Sequence, residues 1–239
     1  MLGLGNSVLS DYKEMFFDNF FLSFDGTDDY VDCDGIVSNI SVTQGSISLW
    51  AKIDTTSSTG TLFRAQYDSN NYIQIIYHAG SNELRGAYKG DGTNYLCASD
   101  DEVEADGLWH HVVLTWNTDG GKIKLYVDKI LEATKPNVGS PTEMTGEPTT
   151  ADIGQNTSGS SYFKGNINDV AIYGSELSEA QVGVVYNNGN PKDETYETGS
   201  GERYLKVYFK FEEGSGTTAT NIMETGVGRL TNGTAYEEH

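Results

Sequence analysis

Five aspartates fall within ten residues of the stretch FDGTDDYVDCDG, at Asp25, Asp28, Asp29, Asp32 and Asp34, interspersed with the glycines Gly26 and Gly35. Carboxylates crowded beside a glycine turn are the donors that a hard cation such as Ca²⁺ takes, since it needs about six to eight oxygens. The spacing differs from an EF-hand loop, which alternates its acids around a central glycine and ends on a glutamate. A further acid, Asp169 in FKGNINDVAIY, lies in a late strand segment. If the first and last strands of a sandwich are neighbours, the two segments share an ion.

A second chemistry is carried by the middle of the chain, where Arg64, Tyr67, Tyr72, Tyr77, Arg85, Tyr88 and Tyr95 fall close together. Sugars stack their C–H faces on aromatic rings and hydrogen-bond planar polar side chains, so a tyrosine-rich face or loop rim suits a glycan. The alternative for any one of these rings is a place in the core or in a cross-strand pair.

Catalytic patterns are sparse. WHHVVLTWN carries His110 and His111, but adjacent strand residues point to opposite faces, so both cannot serve one metal or one base without a bulge. There is no G-x-S-x-G elbow, phosphate-binding GxxxxGK[ST] loop or H-E-x-x-H. Retaining glycosidases hold two carboxylates about 5 Å apart. Glu102 and Glu104 in the run SDDEVEAD come nearest to that, yet the run lacks the apolar spacers of a buried strand and is expected to be an exposed loop. No enzymatic activity is expected; glycoside hydrolysis is the remote alternative.

The 35 acidic against 15 basic residues give a formal charge of −20, which repels phosphate backbones and anionic lipid, so neither nucleic acid nor membrane is expected as a partner. Calcium or a cationic surface fits better. No run reaches the ~18 apolar residues of a membrane helix, and MLGLGNSVLSDYKEMFFDNFF is not a usual signal peptide. Cys33 and Cys97 are expected as buried thiols, with one disulfide as the alternative. Asn39, Asn156 and Asn232 open N-x-[ST] triplets, which count as glycan acceptors only in a eukaryotic secretory pathway.

The elements that must position these residues are strands. Period-two alternation recurs in SISLWAKI, KIKLYVDKI and LKVYFKF, the last placing Leu205, Val207, Phe209 and Phe211 on one side. Turn clusters such as DTTSSTG, YDSNN and KGDGTN separate such runs. This predicts roughly 12 short antiparallel strands in two packed sheets. One helix is expected over SEAQVGVVYNNG, opened by Ser178 with Gln181 as a capping box. The organisation expected is a packing or attachment segment over 1–20, a domain over 21–189, a linker or long loop over 190–202, and a closing strand segment over 203–239.

FLSFDGTDDYVDC, GSISLWAKI, LWHHVVLTWNTDGGKIKLYVDKIL and FKGNINDVAIYGSELSEAQV together resemble the laminin-G-like (LamG) jelly rolls of the concanavalin A-like lectin/glucanase superfamily. The resemblance implies an all-β sandwich of two curved antiparallel sheets, a structural Ca²⁺ near a strand edge, and ligand binding by loops or a concave face. Carried over by position, Asp25, Asp28 and Asp169 are the implied metal ligands, while Trp50 and Trp109 match structural positions. Arg64, Tyr72, Arg85, Tyr88 and Tyr95 stand as ligand-binding candidates. The glucanase members' E-x-D-x-x-E strand is missing here.

The flanks are similar to LamG-type proteins of tailed phages, which implies a virion surface, decoration or tail component that binds a capsid or tail protein and engages cell-surface glycans. A carbohydrate-binding domain of a bacterial extracellular or cell-surface protein is the alternative. In many LamG-like proteins a strand resembling YFKFEEGSGTTATN comes first, whereas here it closes the chain, as in a circular permutation. Its apolar side must be buried, either in its own sandwich or in a neighbouring copy's.

Overall fold

Ile47, Leu49, Ala51 and Ile53, the alternate residues of SISLWAKI, are all fully buried between two sheets, and Ile123, Leu125 and Val127 of KIKLYVDKI join them. Burying each such side chain contributes about 1.5–3 kcal/mol, which is why the alternating runs face inward. The computed structural model describes residues 19–100, 105–195, 204–223 and 226–239.

The described residues form sixteen strands rather than about twelve. The first eight are β1 (Phe20–Asp25), β2 (Tyr30–Asp32), β3 (Gln44–Ile53), β4 (Gly60–Asp68), β5 (Asn71–His78), β6 (Glu83–Gly90), β7 (Thr93–Ala98) and β8 (Trp109–Asn117). They are followed by β9 (Ile123–Val127), β10 (Ile130–Lys135), β11 (Thr150–Ile153), β12 (Lys164–Tyr173), β13 (Leu205–Phe209), β14 (Thr218–Thr220), β15 (Val227–Thr231) and β16 (Ala235–Glu238). One sheet runs β10-β9-β8-β3-β12-β1-β16, with β13 also beside β12; the other runs β14-β15-β2-β11-β4-β5-β6-β7. The fold is an all-β, antiparallel two-sheet sandwich. The helix α1 (Glu179–Tyr186) has the expected capping box between Ser178 and Gln181, and a short 3₁₀ turn covers Asp34–Asn39.

Strand β12 organises the first sheet. One edge lies along β3 from Gly165 opposite Ile53 to Tyr173 opposite Ser46. The other edge is shared: β1 pairs its first half, from Lys164 to Ile167, and β13 its second half, from Val170 to Tyr173. Between the two halves the register against β3 shifts, and Asp169 takes a left-handed φ of 48°.

The closing segment therefore packs within its own chain. β13 and β16 join the first sheet beside β12 and β1, whereas β14 and β15 extend the second beside β2. Its four apolar residues do not all share one side. Val207, Phe209 and Phe211 enter the space between the sheets, but Leu205 joins the opposite cluster with Tyr208 because the pairing slips beside Tyr173. Phe211 stacks on Phe209 at 6.0 Å.

Residues 190–195, expected in a linker, lie against the first sheet. Tyr173 donates to buried Glu194 at 2.9 Å, and Lys210 pairs with Asp193 at 2.9 Å. The Tyr208 hydroxyl reaches both the Asp169 carboxylate at 2.5 Å and the Lys192 carbonyl at 3.0 Å. Residues 1–18 of the expected N-terminal segment, Phe16 and Phe17 among them, fall outside the described residues, while Phe20 opens β1. Phe21 packs edge-on against Trp109 and against the ring of His239, joining the start of the sandwich to its end.

Burial raises the Glu194 carboxyl to about 7, with Lys192 and the Tyr173 hydroxyl pulling the other way. Because that pKa is higher folded than unfolded, the stability it contributes is complete below the ordinary carboxylate range and is lost as pH rises through about 7. The melting temperature of Glu194→Gln relative to wild type is expected to climb between about pH 5 and about pH 8. A pH-independent difference would contradict the placement of Glu194.

Candidate functional site

The two sheets present different outer faces. The first sheet's is covered: Val113, Tyr126, Ala171, Tyr173 and Tyr208 lie under Leu177, Val182 and Val185 of α1 and its lead-in. The outer face of the second carries half-buried polar side chains and, among the described residues, no covering helix. Alternation builds it. In β4, Phe63 and Ala65 point inward, so Arg64 and Gln66 point out; in β5, Ile73, Ile75 and Tyr77 point inward, leaving Tyr72 and Gln74 outside. In β6, Gly86 lets the sheets close, since a Cβ there would lie 2.6 Å from Leu114 Cδ1.

Register turns these alternating residues into two rows across the face. One row runs Asp32, Asp152, Arg64, Gln74, Ala87 and Leu96; beside it lie Thr150, Gln66, Tyr72, Lys89 and Asn94. At the centre, the Arg64 guanidinium carbon sits 3.8 Å from the centroid of the Tyr72 ring. Arg64 donates from Nε to Gln66 Oε1 at 2.8 Å and from Nη1 to Gln74 Oε1 at 2.5 Å. Thr157, from the loop after β11, donates to the same Gln66 oxygen at 3.0 Å. Lys89 Nζ donates to the Ser69 carbonyl and lies 5.6 Å from the Tyr72 centroid. Planar amides, a fixed guanidinium and an aromatic ring are the groups that read sugar hydroxyls and ring faces.

Burial lowers the pKa of Arg64, with the Tyr72 phenol acting against it. Asp152 stands opposite Arg64 in the ladder but forms no ion pair with it; Gln155 Nε2 donates to its Oδ2 at 3.2 Å instead. Burial, then the neighbouring charge of Asp34, raises Asp152 to about 7.

Of the ligand-binding residues expected from sequence, only Arg64 and Tyr72 meet here. Arg85 faces the same side two residues from Ala87, but its guanidinium is engaged by Glu83 at 2.6 Å and by Ser81 at 2.9 Å. Tyr88 is a correction: it is fully buried, donates to the Val42 carbonyl at 2.7 Å and accepts from Met144 N–H at 3.0 Å, so no ligand reaches it. Tyr95, across from Tyr88, turns inward with it and holds the loop at Thr142. Gln66, Gln74, Lys89 and Thr157 were missed. Period-two alternation would have found the glutamines, since both flank Ile or Ala residues of the core.

The acidic opening also gathers, but with one different member. Carboxylate oxygens of Asp25, Asp28 and Asp29 lie within 4.8 Å of one another at the turn after β1. Asp169 is not among them. β12 pairs Lys164 with Asp25, so Asp169 lies five residues further on, about 16 Å away at ~3.3 Å per residue, and its carboxylate serves Tyr208. No Lys, Arg or His pairs with the three among the described residues. Burial and the charges of Asp25 and Asp28 raise the Asp29 carboxyl, opposed by the Asp25 N–H, so the donor set suits a divalent cation that would relieve the repulsion.

Other reactive types are put to structural use. His110 bridges Asp128 at 2.8 Å and Asp106 at 3.2 Å, while His111 points to Ser48 at 2.7 Å beneath Trp50 and Tyr186. Burial lowers His111 to about 3, so this enclosed Ser–His pair holds a neutral imidazole and no accessible nucleophile. Cys33 and Cys97 are both buried and unbridged, and burial raises the Cys97 thiol to about 11. Glu102 and Glu104 fall outside the described residues.

A Laminin_G_3 family model of the concanavalin A-like lectin/glucanases superfamily matches residues 25–183. No curated protein matches the chain. Among solved structures, a putative carbohydrate binding protein from Bacteroides ovatus is similar at a TM-score of 0.65 and 17% identity, over 92% of this chain and 60% of that one. The CBM40 of the Ruminococcus gnavus IT-sialidase aligns at 0.57 and 16% identity, over 69% of this chain and 95% of that one. Domain 4 of AbnA, an extracellular GH43 arabinanase from Geobacillus stearothermophilus, solved with arabinotriose, aligns at 0.53 and 20% identity, over 69% and 75%. At these identities the likeness is one of fold.

Proposed function

Because the chain belongs to the concanavalin A-like lectin/glucanases superfamily, we propose that it is a non-catalytic, lectin-like module that binds glycans on the outer face of its second sheet. The observation that carries this is the Arg64–Tyr72 stack held between Gln66 and Gln74 on an uncovered face. The solved neighbours described as carbohydrate-binding share the fold and support the class of ligand. Tyr72→Ala removes the ring and frees the guanidinium, so glycan binding on an array is expected to fall at least about tenfold while the melting temperature changes little. Binding that survives Tyr72→Ala and Gln74→Ala would remove the face from consideration.

The proposed cofactor is one structural Ca²⁺ held by Asp25, Asp28 and Asp29, completed by backbone oxygens. An ion bound only by the folded state stabilises it by about 2.7 kcal/mol at a hundredfold excess over Kd. Ca²⁺ is therefore expected to raise the melting temperature over EDTA in wild type and not in Asp25→Asn/Asp28→Asn. The same melting temperature in both solutions would sink the metal assignment.

The setting proposed is the surface of a virion, where the N-terminal segment binds a capsid or tail protein and the glycan face meets the cell. The flanking sequences and the strongly acidic charge, which suits an exposed soluble surface, support it. Stoichiometric co-purification with phage particles is expected. Recovery only as free protein from culture medium would place the module on a bacterial extracellular protein instead.

A further inference from the structure

Arg64 is a half-buried guanidinium without a counter-ion on a chain of net charge −20. The ion pairs of the described residues engage Arg85, His110, Lys124, Lys164, Lys192 and Lys210, and none includes Arg64. An arginine drawn partly out of water loses hydration that a facing carboxylate would restore, and truncating or omitting that partner is costly. With 35 acidic residues available, the chain nevertheless gives Arg64 two neutral amide acceptors. The nearest acid in the ladder, Asp152, is turned to Gln155.

Its remaining donors face a particular way. Nε and one Nη1 proton are taken by Gln66 and Gln74, and the ring of Tyr72 lies under the guanidinium plane. Nη2 and the second Nη1 proton, the end of the fork that grips an oxyanion with two parallel hydrogen bonds, have no hydrogen-bond partner among the described residues. Lys89, on the neighbouring row beside Tyr72, brings a second cation to the face; its Nζ donates to the Ser69 carbonyl and its charge acts on Asp68. Two cations on one face stand out on a chain of net charge −20.

We propose that the ligand of this face is an acidic glycan, one whose sugar carboxylate or sulfate is gripped by the free end of Arg64 while neighbouring hydroxyls meet Gln66 and Gln74. This rests on the glycan-binding function proposed above and specifies its ligand. A neutral sugar would need only the amides and the ring. A guanidinium kept free of protein acids adds selectivity, because a neutral ligand leaves it unpaired.

The experiment is an array of matched oligosaccharides: uronic-acid oligomers beside their carboxyl-reduced forms, and sulfated oligomers beside desulfated forms. Wild type, Arg64→Gln and Arg64→Lys are compared at low and high salt, each variant's folding being checked by thermal melting. The acidic member of one pair type is expected to bind about tenfold or more tightly than its neutral partner, less so at high salt, and which pair responds identifies carboxylate or sulfate. Arg64→Gln is expected to abolish the preference, and Arg64→Lys to keep part of it, since a lysine holds the charge without the fork. Equal binding of acidic and neutral members by wild type overturns this inference and leaves glycan binding standing. Binding of no oligosaccharide, acidic or neutral, overturns both.

Discussion

The architecture depends on a strand that must pair with two others along one edge. β12 accepts β1 along its first half and β13 along its second, and those partners come from opposite ends of the chain. Two strands meeting end to end cannot both continue a regular ladder, and the misfit is absorbed at Asn168 and Asp169, where the register against β3 slips. Asp169 adopts a left-handed backbone there, a conformation that aspartate tolerates better than most residues. Its carboxylate is tied to the Tyr208 hydroxyl on β13, so the irregularity is pinned by the strand that causes it.

The late strand β13 can complete the first sheet because its partner β12 is fixed in space and not in sequence. β13 and β16 enter one sheet while β14 and β15 enter the other, so the last residues stitch the two layers together. The side effect is asymmetry between the faces. The connection from β12 to β13 carries α1 and residues 190–195 over the first sheet, which buries Trp50, His111 and Tyr173 there. Among the described residues the second sheet receives no such cover, and its polar outer side chains can meet a ligand.

Charge is distributed with the same logic. Where carboxylates crowd, at Asp25, Asp28 and Asp29, no cation of the described residues pairs with them; where a cation sits half-buried, at Arg64, no carboxylate of the described residues does. Each is consistent with a charge supplied from outside the chain, an ion in one case and an anionic sugar in the other.

Alternation and the Ser178–Gln181 box were enough for the core residues of β3 and β9, the capped helix and the sandwich class, because both are local properties of the chain, but they pointed to about twelve strands where sixteen form among the described residues. Local patterns also singled out Arg64 and Tyr72 among the aromatic and polar residues of the middle, but only the register of β4 against β5 brings the two together on one face. They could not place Tyr88: an inward tyrosine with two backbone partners and an outward one have the same letter, and only the register of β6 against β5 distinguishes them. Asp169 and Leu205 escaped for a related reason, since a slip of register moves a residue along or across a sheet without changing its neighbours in sequence. What the sequence determined alone is therefore the class of element and the apolar sides of the regular runs. The tertiary structure alone decided which ends meet, which face stays open and which charges remain unpaired, because each of these is set by contacts between segments far apart in the chain.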